Sequence, residues 1–494
     1  MKALILVILA LLFSTAADAQ TNTGAVASQQ WRRHHEREIV EEFISLLSIP
    51  NVASDPANID RNAEVISEMM KKRGLAPRLV SVPGSNPVVF GEIVTPGARR
   101  TIVLCAHYDG QPLDPKQWTT PPFTPTLRDR QVEQGGRVIP LPESGTPFNP
   151  EWRLYARSAA DDKAPIEAMM AALDAIRAAG LKAKSNIKFV FEGEEEAYSV
   201  NLDKILGAHQ ELFSGDVWLI CDGPVSQTRR QSIIFGARGF TAFDITVYGP
   251  RVELHSGHYG NWAPNPALML SHLLASMKDP DGHVLIDHFY AIAESPVVDS
   301  QLMDEFWLGS TEGSPKRLEE LITLPALNVR GITSARVGAQ ASSVIPSSAT
   351  ASLDIRTVKG MDYQQTAERL MEHIRKRGFF VVDKEPTAEV RRIHPPKVAW
   401  VVIRPGGYNS VRTSMDLPIS QALNKTVASA RGSTVKLPNM GASVPLNMIE
   451  RTLGTRTVVV PIGNHDNNQH SFDENLRIQN LWDGIDLMAA LITM

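Results

Sequence analysis

The feature that most constrains the fold of this chain is an acidic run that directly follows an apolar segment. Ile187 to Phe191 has the composition of a buried strand, and Glu192-Gly193-Glu194-Glu195-Glu196 comes next. Carboxylates crowded at a strand end repel one another unless cations neutralise them. Adjacent carboxylates can also divide metal binding and proton transfer between them. A solvated loop is the alternative. Metal-ligand residues at the ends of other strands would favour the metal-binding interpretation.

A second apolar segment, 101–106, leads into His107, and Asp109 follows two residues later. Side chains two residues apart point to the same side of a strand. A carboxylate placed there can hold the imidazole of a metal-bound histidine in the correct tautomer. The alternative is a surface histidine at a strand end.

Two segments with aspartates have a similar form. Asp161-Asp162 precedes a helical pattern over 166–179, so either aspartate could instead cap that helix. Asp222 ends the apolar segment 217–221, although Asp-Gly pairs are also common in turns.

A strand-like segment near the C-terminus, 457–462, is followed by His465 and His470. One imidazole from this region, together with His107 and the carboxylates above, would complete two metal sites. The two sites would have oxygen and nitrogen ligands and would share one carboxylate. That ligand set suits a pair of Zn²⁺ ions.

Together these segments resemble the dinuclear zinc aminopeptidase, carboxypeptidase and aminoacylase family, with glutamate carboxypeptidase, acetylornithine deacetylase and succinyl-diaminopimelate desuccinylase as relatives. The carnosinase-like dipeptidases are the most similar branch, and the motifs occur in the family's order. The resemblance implies that Asp161 bridges two metals, Glu195 is the general base and Asp109 orients His107. It implies five metal ligands: His107, Asp161, Glu196, Asp222 and His470. His465 is the fallback for His470.

The resemblance also implies substrate-binding residues in a lid. His255, in Leu254-His255-Ser256-Gly257, would stabilise the oxyanion in the partner subunit's site. Ser343 and Arg356 would bind the substrate carboxylate, because a guanidinium binds a carboxylate bidentately. A salt bridge along a strand is the alternative for Arg356. Gly441 and Ser443 would line the pocket.

The order of predicted elements indicates the fold class. Alternating strands and helices predict an α/β catalytic domain with a mostly parallel sheet flanked by helices. The pattern changes after residue 239, and the resemblance implies an inserted α+β lid and dimerisation domain. We therefore expect a signal peptide at 1–19, catalytic segments at 31–238 and 415–494, and the lid at 239–414.

Composition excludes some classes of function and suggests a location. A net charge of −4 over 494 residues shows no nucleic-acid footprint. Lys2, the apolar run 3–13 and Ala17-Asp18-Ala19 predict a cleaved signal, periplasmic or secreted export, and no membrane attachment afterwards. Residues up to Gln30 are expected to be disordered. Cys105 and Cys221 are expected to be buried free thiols, since oxygen and imidazole ligands already suffice.

The sequence therefore predicts a hydrolase with two Zn²⁺ per subunit, Mn²⁺ or Co²⁺ being alternatives, that acts as a homodimer. It would cleave an amide bond in dipeptides or short peptides with a free carboxylate. The alternative within the family is an N-acyl amino acid deacylase. A non-catalytic peptide- or metal-binding protein is a third hypothesis.

Overall fold

The computed structural model describes residues 22–290, 311–312, 321–394, 397–441 and 445–494. The α-helices in these ranges are α1 Thr23–Arg32, α2 Glu36–Leu47, α3 Pro56–Lys72, α4 Lys163–Ala178, α5 Leu202–Ala208, α6 Gln210–Phe213, α7 Ser256–Tyr259, α8 Pro266–Ala275, α9 Tyr363–Lys376, α10 Ala388–Ile393, α11 Pro418–Arg431, α12 Leu446–Leu453 and α13 Ile478–Ile492. None of the helices in the described ranges is both long and apolar enough to cross a bilayer.

The strands are β1 Arg78–Val80, β2 Val88–Ile93, β3 Thr101–His107, β4 Thr126–Arg128, β5 Arg153–Tyr155, β6 Asn186–Glu192, β7 Val217–Ile220, β8 Ser232–Ile234, β9 Gly236–Ala237, β10 Gly239–Tyr248, β11 Leu254–His255, β12 Ala326–Thr333, β13 Val344–Ile345, β14 Ser348–Thr357, β15 Phe380–Val382, β16 Val398–Ile403, β17 Val411–Arg412, β18 Val435–Leu437, β19 Arg456–Val459 and β20 Asn475–Arg477.

The first sheet has eight strands in the order β1-β2-β6-β3-β7-β19-β8-β18. Its four central strands, β6, β3, β7 and β19, are parallel, whereas β1 and β2 extend it antiparallel at one edge. In β3, Ile102 and Leu104 enter one apolar core while Val103 and Cys105 enter another. A strand buried on both faces needs this continuous apolar sequence.

Helices cover both faces of the first sheet. The α4, α13, α2 and α3 helices pack on one face, and α5, α6 and α12 contribute to the core on the other. Cys105 and Cys221 are buried free thiols that belong to opposite cores. The prediction of an α/β catalytic domain is confirmed.

The second sheet has five strands in the order β12-β14-β10-β16-β15. Along β10, Phe243, Ile245 and Val247 are buried in a third core with α8 and α9, whereas Asp244 and Thr246 alternate with them and are only half-buried. This pattern is typical of an antiparallel sheet with one covered face. An inserted α+β unit is thus confirmed, and its boundaries at 239 and 414 stay a prediction.

The N-terminal region differs from expectation. Instead of disorder up to Gln30, Thr23–Arg32 forms helix α1, capped by the Asn22 side chain and packed against α13. Ser28 is fully buried and donates its Oγ–H to Asp486 at 2.6 Å. The polar residues of this stretch serve a helix–helix contact, so the prediction of disorder was wrong there. Residues 1–19, assigned to a signal peptide, lie outside the described residues.

Candidate metal and active site

The candidate site lies where the parallel strands of the first sheet end. His107 closes β3 and pairs in register with Glu192 at the end of β6, while Asp222 follows β7 by two residues. Parallel strands bring their carboxyl ends to one edge of the sheet, and open α/β sheets bind ligands there. His107 and Asp222 are both buried.

Asp161 lies between two imidazoles. Its Oδ1 is 3.0 Å from Nε2 of His107, and its Oδ2 is 3.1 Å from Nε2 of His470. The same His470 nitrogen lies 3.5 Å from Oε2 of Glu196. A carboxylate with one oxygen facing each of two imidazoles has the arrangement that a shared metal ligand requires.

Buried ligand atoms form two overlapping groups, one of His107, Asp161 and Glu196 and the other of His107, Asp162 and Asp222. Within each group the ligand atoms lie within 4.8 Å of one another. In the described part of the chain, Asp162 Oδ1 and Asp222 Oδ1 are buried and accept no hydrogen bond. Buried carboxylate oxygens are costly without a cation or donor, so these residues fit a pair of bound cations.

We call His107, Asp161, Asp162, Glu196, Asp222 and His470 the ligand cluster. Sequence reasoning placed Asp162 only as a helix cap. It does occupy the N-cap position of α4, but its side chain makes no capping bond and its Oδ2 accepts the His107 N–H at 3.2 Å. No signal beyond its place beside Asp161 distinguished it.

Asp109 connects His107 to the acidic run. Its carboxylate accepts hydrogen bonds from the backbone N–H groups of Glu195 and Glu196, at 3.0 and 2.9 Å. The His107 Nδ1 lies 3.1 Å from the Asp109 carbonyl oxygen and 3.5 Å from its carboxylate. The carbonyl oxygen of Asp109 therefore makes the closer contact with the His107 ring. The Asp109 carboxylate instead binds the backbone of the acidic run.

The members of the acidic run have different roles. Glu194 accepts the backbone N–H groups of Asn201 at 2.9 Å and Asn86 at 3.2 Å, which binds it into the loop structure. Glu195 and Glu196 form a short 3₁₀ turn beyond it, at the rim of the cluster. This division places the run's last two carboxylates, and not Glu194, at the ligand cluster.

Crowding and burial shift the pKa values of these carboxyl groups. Burial, together with the charge of Asp161, raises the pKa of Glu196 to about 7 and that of Asp222 to about 6. Burial also raises the pKa of Glu195 well above its ordinary value. Burial alone would raise the pKa of Asp161, but its hydrogen bonds with His107 and His470 hold that pKa well below the usual range. Such a site attracts cations.

Three further residues support the cluster and were missed by sequence reasoning. Gln111 donates its Nε2–H to Glu196 at 2.7 Å. Glu474 is fully buried and accepts the backbone N–H of Asp161 at 3.0 Å. Thr119 donates twice to the Asp473 carboxylate beside it, at 2.8 and 2.7 Å. Gln111 and Thr119 belong to the segment 111–153, which thus packs against the loop that carries His470.

His470, and not His465, is the histidine that meets Asp161. His465 is half-buried, and its Nδ1 accepts or donates no hydrogen bond among the described residues. The neighbouring Asp466 forms an ion pair with Arg153 at 2.6 Å, which ties this part of the loop to the sheet of β4, β5 and β20.

The residues assigned to the oxyanion and to substrate binding form a separate set, which we call the lid group: His255, Ser343 and Arg356 in the lid segment, and Gly441, which follows β18 at the edge of the first sheet. His255 is exposed on the small sheet of β11 and β13, and its Nδ1 accepts the Gly257 N–H at 3.1 Å. Exposed Ser343 lies beside it, since its carbonyl accepts the Ser256 N–H at 2.9 Å.

Arg356 lies on β14 with its guanidinium 4.9 Å above the Phe240 ring, and its Nε is 3.4 Å from the Asp354 carboxylate. Gly441 is half-buried, and a Cβ there would lie 3.2 Å from Ile322 Cγ2. Ser443 lies outside the described residues. The approach of the lid group to the ligand cluster stays a prediction.

Comparison with a solved structure supports the architecture. The M20 family metallo-carboxypeptidase Sso-CP2 from Sulfolobus solfataricus superposes with a TM-score of 0.72 at 24% identity. The match covers 92% of this chain and 98% of that protein. This similarity extends through both sheets and establishes the shared fold.

Relatives in sequence are dipeptidases. The chain is 26% identical to the Cys-Gly metallodipeptidase of Schizosaccharomyces pombe, over 92% of this chain and 95% of the relative. It is 25% identical to the human Beta-Ala-His dipeptidase, over 82% of this chain and 76% of the relative.

These relatives correct the predicted location. The chain pairs over about nine-tenths of its length with Cys-Gly metallodipeptidases of yeasts, and this kinship does not support an exported protein. The prediction of periplasmic or secreted export, which depended on residues 1–19 alone, was therefore wrong.

Family assignment comes from a match over most of the chain. Residues 103–494 fit the model of peptidase family M20/M25/M40. This range contains all the strand ends and loops that form the ligand cluster. The protein therefore belongs to peptidase family M20/M25/M40.

Proposed function

We propose that this metallopeptidase hydrolyses the amide bond of dipeptides or short peptides that carry a free carboxylate. The observation that carries the proposal is the position of Asp161 between two imidazoles, next to the 3₁₀ turn that bears Glu195 and Glu196. The dipeptidase relatives support peptides over N-acyl amino acids as substrates.

The ligand cluster would hold two divalent cations, with Asp161 between them and with His107, His470, Glu196 and Asp222 as the other ligands. We propose Zn²⁺, with Mn²⁺ or Co²⁺ as alternatives, because the donors are imidazoles and carboxylates. When bound, such cations supply Lewis-acid activation of an amide carbonyl and lower the pKa of a water molecule.

Glu195 would act as the general base. Its carboxylate would accept the proton of the attacking water and pass it to the leaving amine. Burial raises the pKa of Glu195 above the ordinary value of a glutamate, which makes its carboxylate a stronger proton acceptor. Asp109 would hold the turn in place through its hydrogen bonds to the backbone of Glu195 and Glu196.

The lid group would bind the substrate. Arg356 would receive the substrate carboxylate, with its present neighbour Asp354 as the group that the substrate displaces. His255 would stabilise the oxyanion, and Ser343, Gly441 and Ser443 would line the pocket. Because the His255 side chain is exposed and its Nδ1 accepts the nearby Gly257 N–H, we propose that it completes the site of a second subunit.

A homodimer would be formed through the second sheet. Strand β12 is an edge of that sheet, and its residues from Asn328 to Thr333 are exposed. An exposed edge strand presents unpaired backbone groups on which another chain can pair. A twofold dimer formed there would place each lid toward its partner.

The test is a substrate comparison at defined metal content. Metal-free protein would be reloaded with Zn²⁺, Mn²⁺ or Co²⁺ and assayed on matched dipeptides and N-acyl amino acids. We expect about two cations per chain and turnover of dipeptides. A clear preference for N-acyl amino acids would identify a deacylase, and metal binding without any turnover would identify a binding protein.

A further inference from the structure

A buried carboxylate outside the proposed ligands lies directly beneath Asp161. Glu474 is fully buried, and its Oε1 accepts the backbone N–H groups of Ala160 at 2.9 Å and Asp161 at 3.0 Å. Its Oε2 accepts the Ser158 N–H and the Arg157 Nη1–H, both at 2.9 Å. Hydrogen bonds to an ionised acceptor are roughly twice as strong as neutral ones.

The loop that these bonds hold is not regular secondary structure. Residues 156–162 form turns between β5 and α4, and Ser158 has a φ of 63°. A non-glycine residue in this left-handed region is strained and persists only when its surroundings hold it. Glu474 supplies acceptors on both sides of Ser158, so it stabilises this backbone and with it the position of Asp161.

The same contacts join two distant parts of the chain. The Arg157 guanidinium donates its Nη1–H to the Glu474 carboxylate. It donates its Nη2–H to the Ser471 carbonyl at 3.1 Å. Its guanidinium also lies 5.1 Å from the Trp118 ring centre. Ser471 follows His470, so Arg157 and Glu474 connect the loop of Asp161 to the loop of His470.

We propose that Glu474 is a positioning residue that holds Asp161 and His470 at the separation a pair of cations requires. The proposal rests on the metal site of the proposed function. It assigns Glu474 no contact with substrate. Glu474→Gln would keep one acceptor oxygen for two of the four donors and replace the other oxygen with an NH2 donor. Two donors would then lose their acceptor, and the ligand loops would lose their fixed spacing.

The experiment measures cation affinity without any substrate. Zn²⁺ binding to the full chain would be measured by chelator competition for wild type, Glu474→Gln and the control Asp486→Asn. Asp486 is also a buried carboxylate, and it accepts hydrogen bonds from Ser28 and Gln29 far from the ligand cluster. Changes in groups that orient metal ligands typically cost 10–100-fold in affinity. We expect about that loss for Glu474→Gln, and less than about threefold for Asp486→Asn.

Hydrogen exchange provides a second measurement on the unchanged protein. In metal-free wild type, the amides of Ser158, Ala160 and Asp161 should exchange as slowly as those of β3.

Glu474→Asp, which shortens the side chain by one carbon, should weaken Zn²⁺ binding less than Glu474→Gln. This variant decides the matter if Glu474→Gln does not fold.

Unchanged Zn²⁺ affinity in folded Glu474→Gln or Glu474→Asp would overturn the proposal. So would an equal loss in Asp486→Asn, or fast exchange of the three amides. Wild-type protein that binds Zn²⁺ but hydrolyses no peptide would count against the proposed function and leave this result standing. Wild-type protein that binds no Zn²⁺ would overturn both.

Discussion

The ligand cluster lies at the strand ends of the first sheet, whereas His255 and Ser343 of the lid group lie at the small sheet of β11 and β13. In the first sheet, His107 and Asp161 are almost completely buried and lie within hydrogen-bond distance of each other. On the small sheet of β11 and β13, His255 and Ser343 are exposed. The His255 Nδ1 accepts the Gly257 N–H, and the Ser343 carbonyl accepts the Ser256 N–H. The first region brings its charged groups together within one chain, whereas the second leaves its two polar residues exposed.

The two larger sheets differ in a similar way. The central strands of the first sheet are covered on both faces, so their ends are held by two cores. The second sheet is covered on one face and has an exposed edge at β12. Side chains at the strand ends of the first sheet are therefore packed from both sides, whereas the second sheet is packed from one side.

The largest effect is expected for Glu195→Gln. The amide keeps the size of the side chain but cannot accept a proton, and general-base catalysis contributes about 10²–10⁴-fold. We expect kcat to fall by that factor while Zn²⁺ content stays at the wild-type value. Steady-state kinetics and elemental analysis on the same sample would measure both.

Glu194→Gln is the matched control, because Glu194 is bonded to the backbone of Asn201 and Asn86. This variant should lower thermal stability and change kcat by only a few fold. If instead Glu194→Gln abolishes turnover and Glu195→Gln does not, the assignment within the acidic run is wrong by one residue.

The next effect tests whether the lid group acts on a partner. His255→Ala should lower kcat by about 10²–10³-fold, as loss of an oxyanion donor does. Mixing His255→Ala chains with Glu195→Gln chains should then restore activity. One site in each mixed dimer has both residues intact, so recovery should approach about a quarter of the wild-type rate.

His258→Ala is the control for this mixing experiment, since its ring lies 4.7 Å from that of His255. It should retain nearly the wild-type rate. Native mass spectrometry would measure the fraction of mixed dimers. If mixed dimers form and no activity returns, His255 works within its own chain or has no catalytic role. The lid group would then, like the ligand cluster, not depend on a second subunit.

A smaller effect is expected for Arg356→Met. A hydrogen bond to a charged group contributes about 1.5–3 kcal/mol, so kcat/KM for a dipeptide should fall by about 10–100-fold. For the same dipeptide with its C-terminal carboxylate amidated, kcat/KM should differ little between wild type and the variant. Arg404→Met, which removes an exposed arginine paired with Asp244 on the same sheet, should leave both substrates unaffected. An equal loss for both substrates would mean that Arg356 is structural, as its contacts with Phe240 and Asp354 allow.

Sequence reasoning succeeded where periodicity decides the answer. The apolar strands that end at His107 and Asp222 were predictable, because a strand buried on both faces has a continuous apolar sequence. The family resemblance supplied His470 and Asp161. It could not supply Glu474, because side-chain bonds to the backbone of a loop more than 300 residues away leave no local pattern. Helix α1 was missed for a similar reason, since its buried polar Ser28 is bonded to Asp486 of α13, more than 450 residues away.

A last comparison lies within the first sheet's own core, between a buried carboxylate with partners and one without. Glu474 accepts hydrogen bonds, whereas neither carboxylate oxygen of Glu167 accepts one among the described residues. Burial raises the pKa of Glu167 well above its ordinary value. The neighbouring Glu42 raises it further, and Arg73 lowers it.

The folded protein therefore holds the Glu167 proton more tightly than the unfolded chain does. The stability linked to this group is fully present below the unfolded pKa of about 4.3, and it is lost as the pH rises through the folded pKa.

Glu167→Gln cannot titrate, so its free energy of unfolding should equal that of wild type near pH 4. It should exceed that of wild type at pH 8, because wild type loses the proton-linked stability there and the variant does not. Urea unfolding of both proteins across this pH range would measure the difference, with exposed Glu68→Gln as the control that should show none. A constant difference at every pH would mean that Glu167 is ionised in the folded state and that Arg73 compensates its charge.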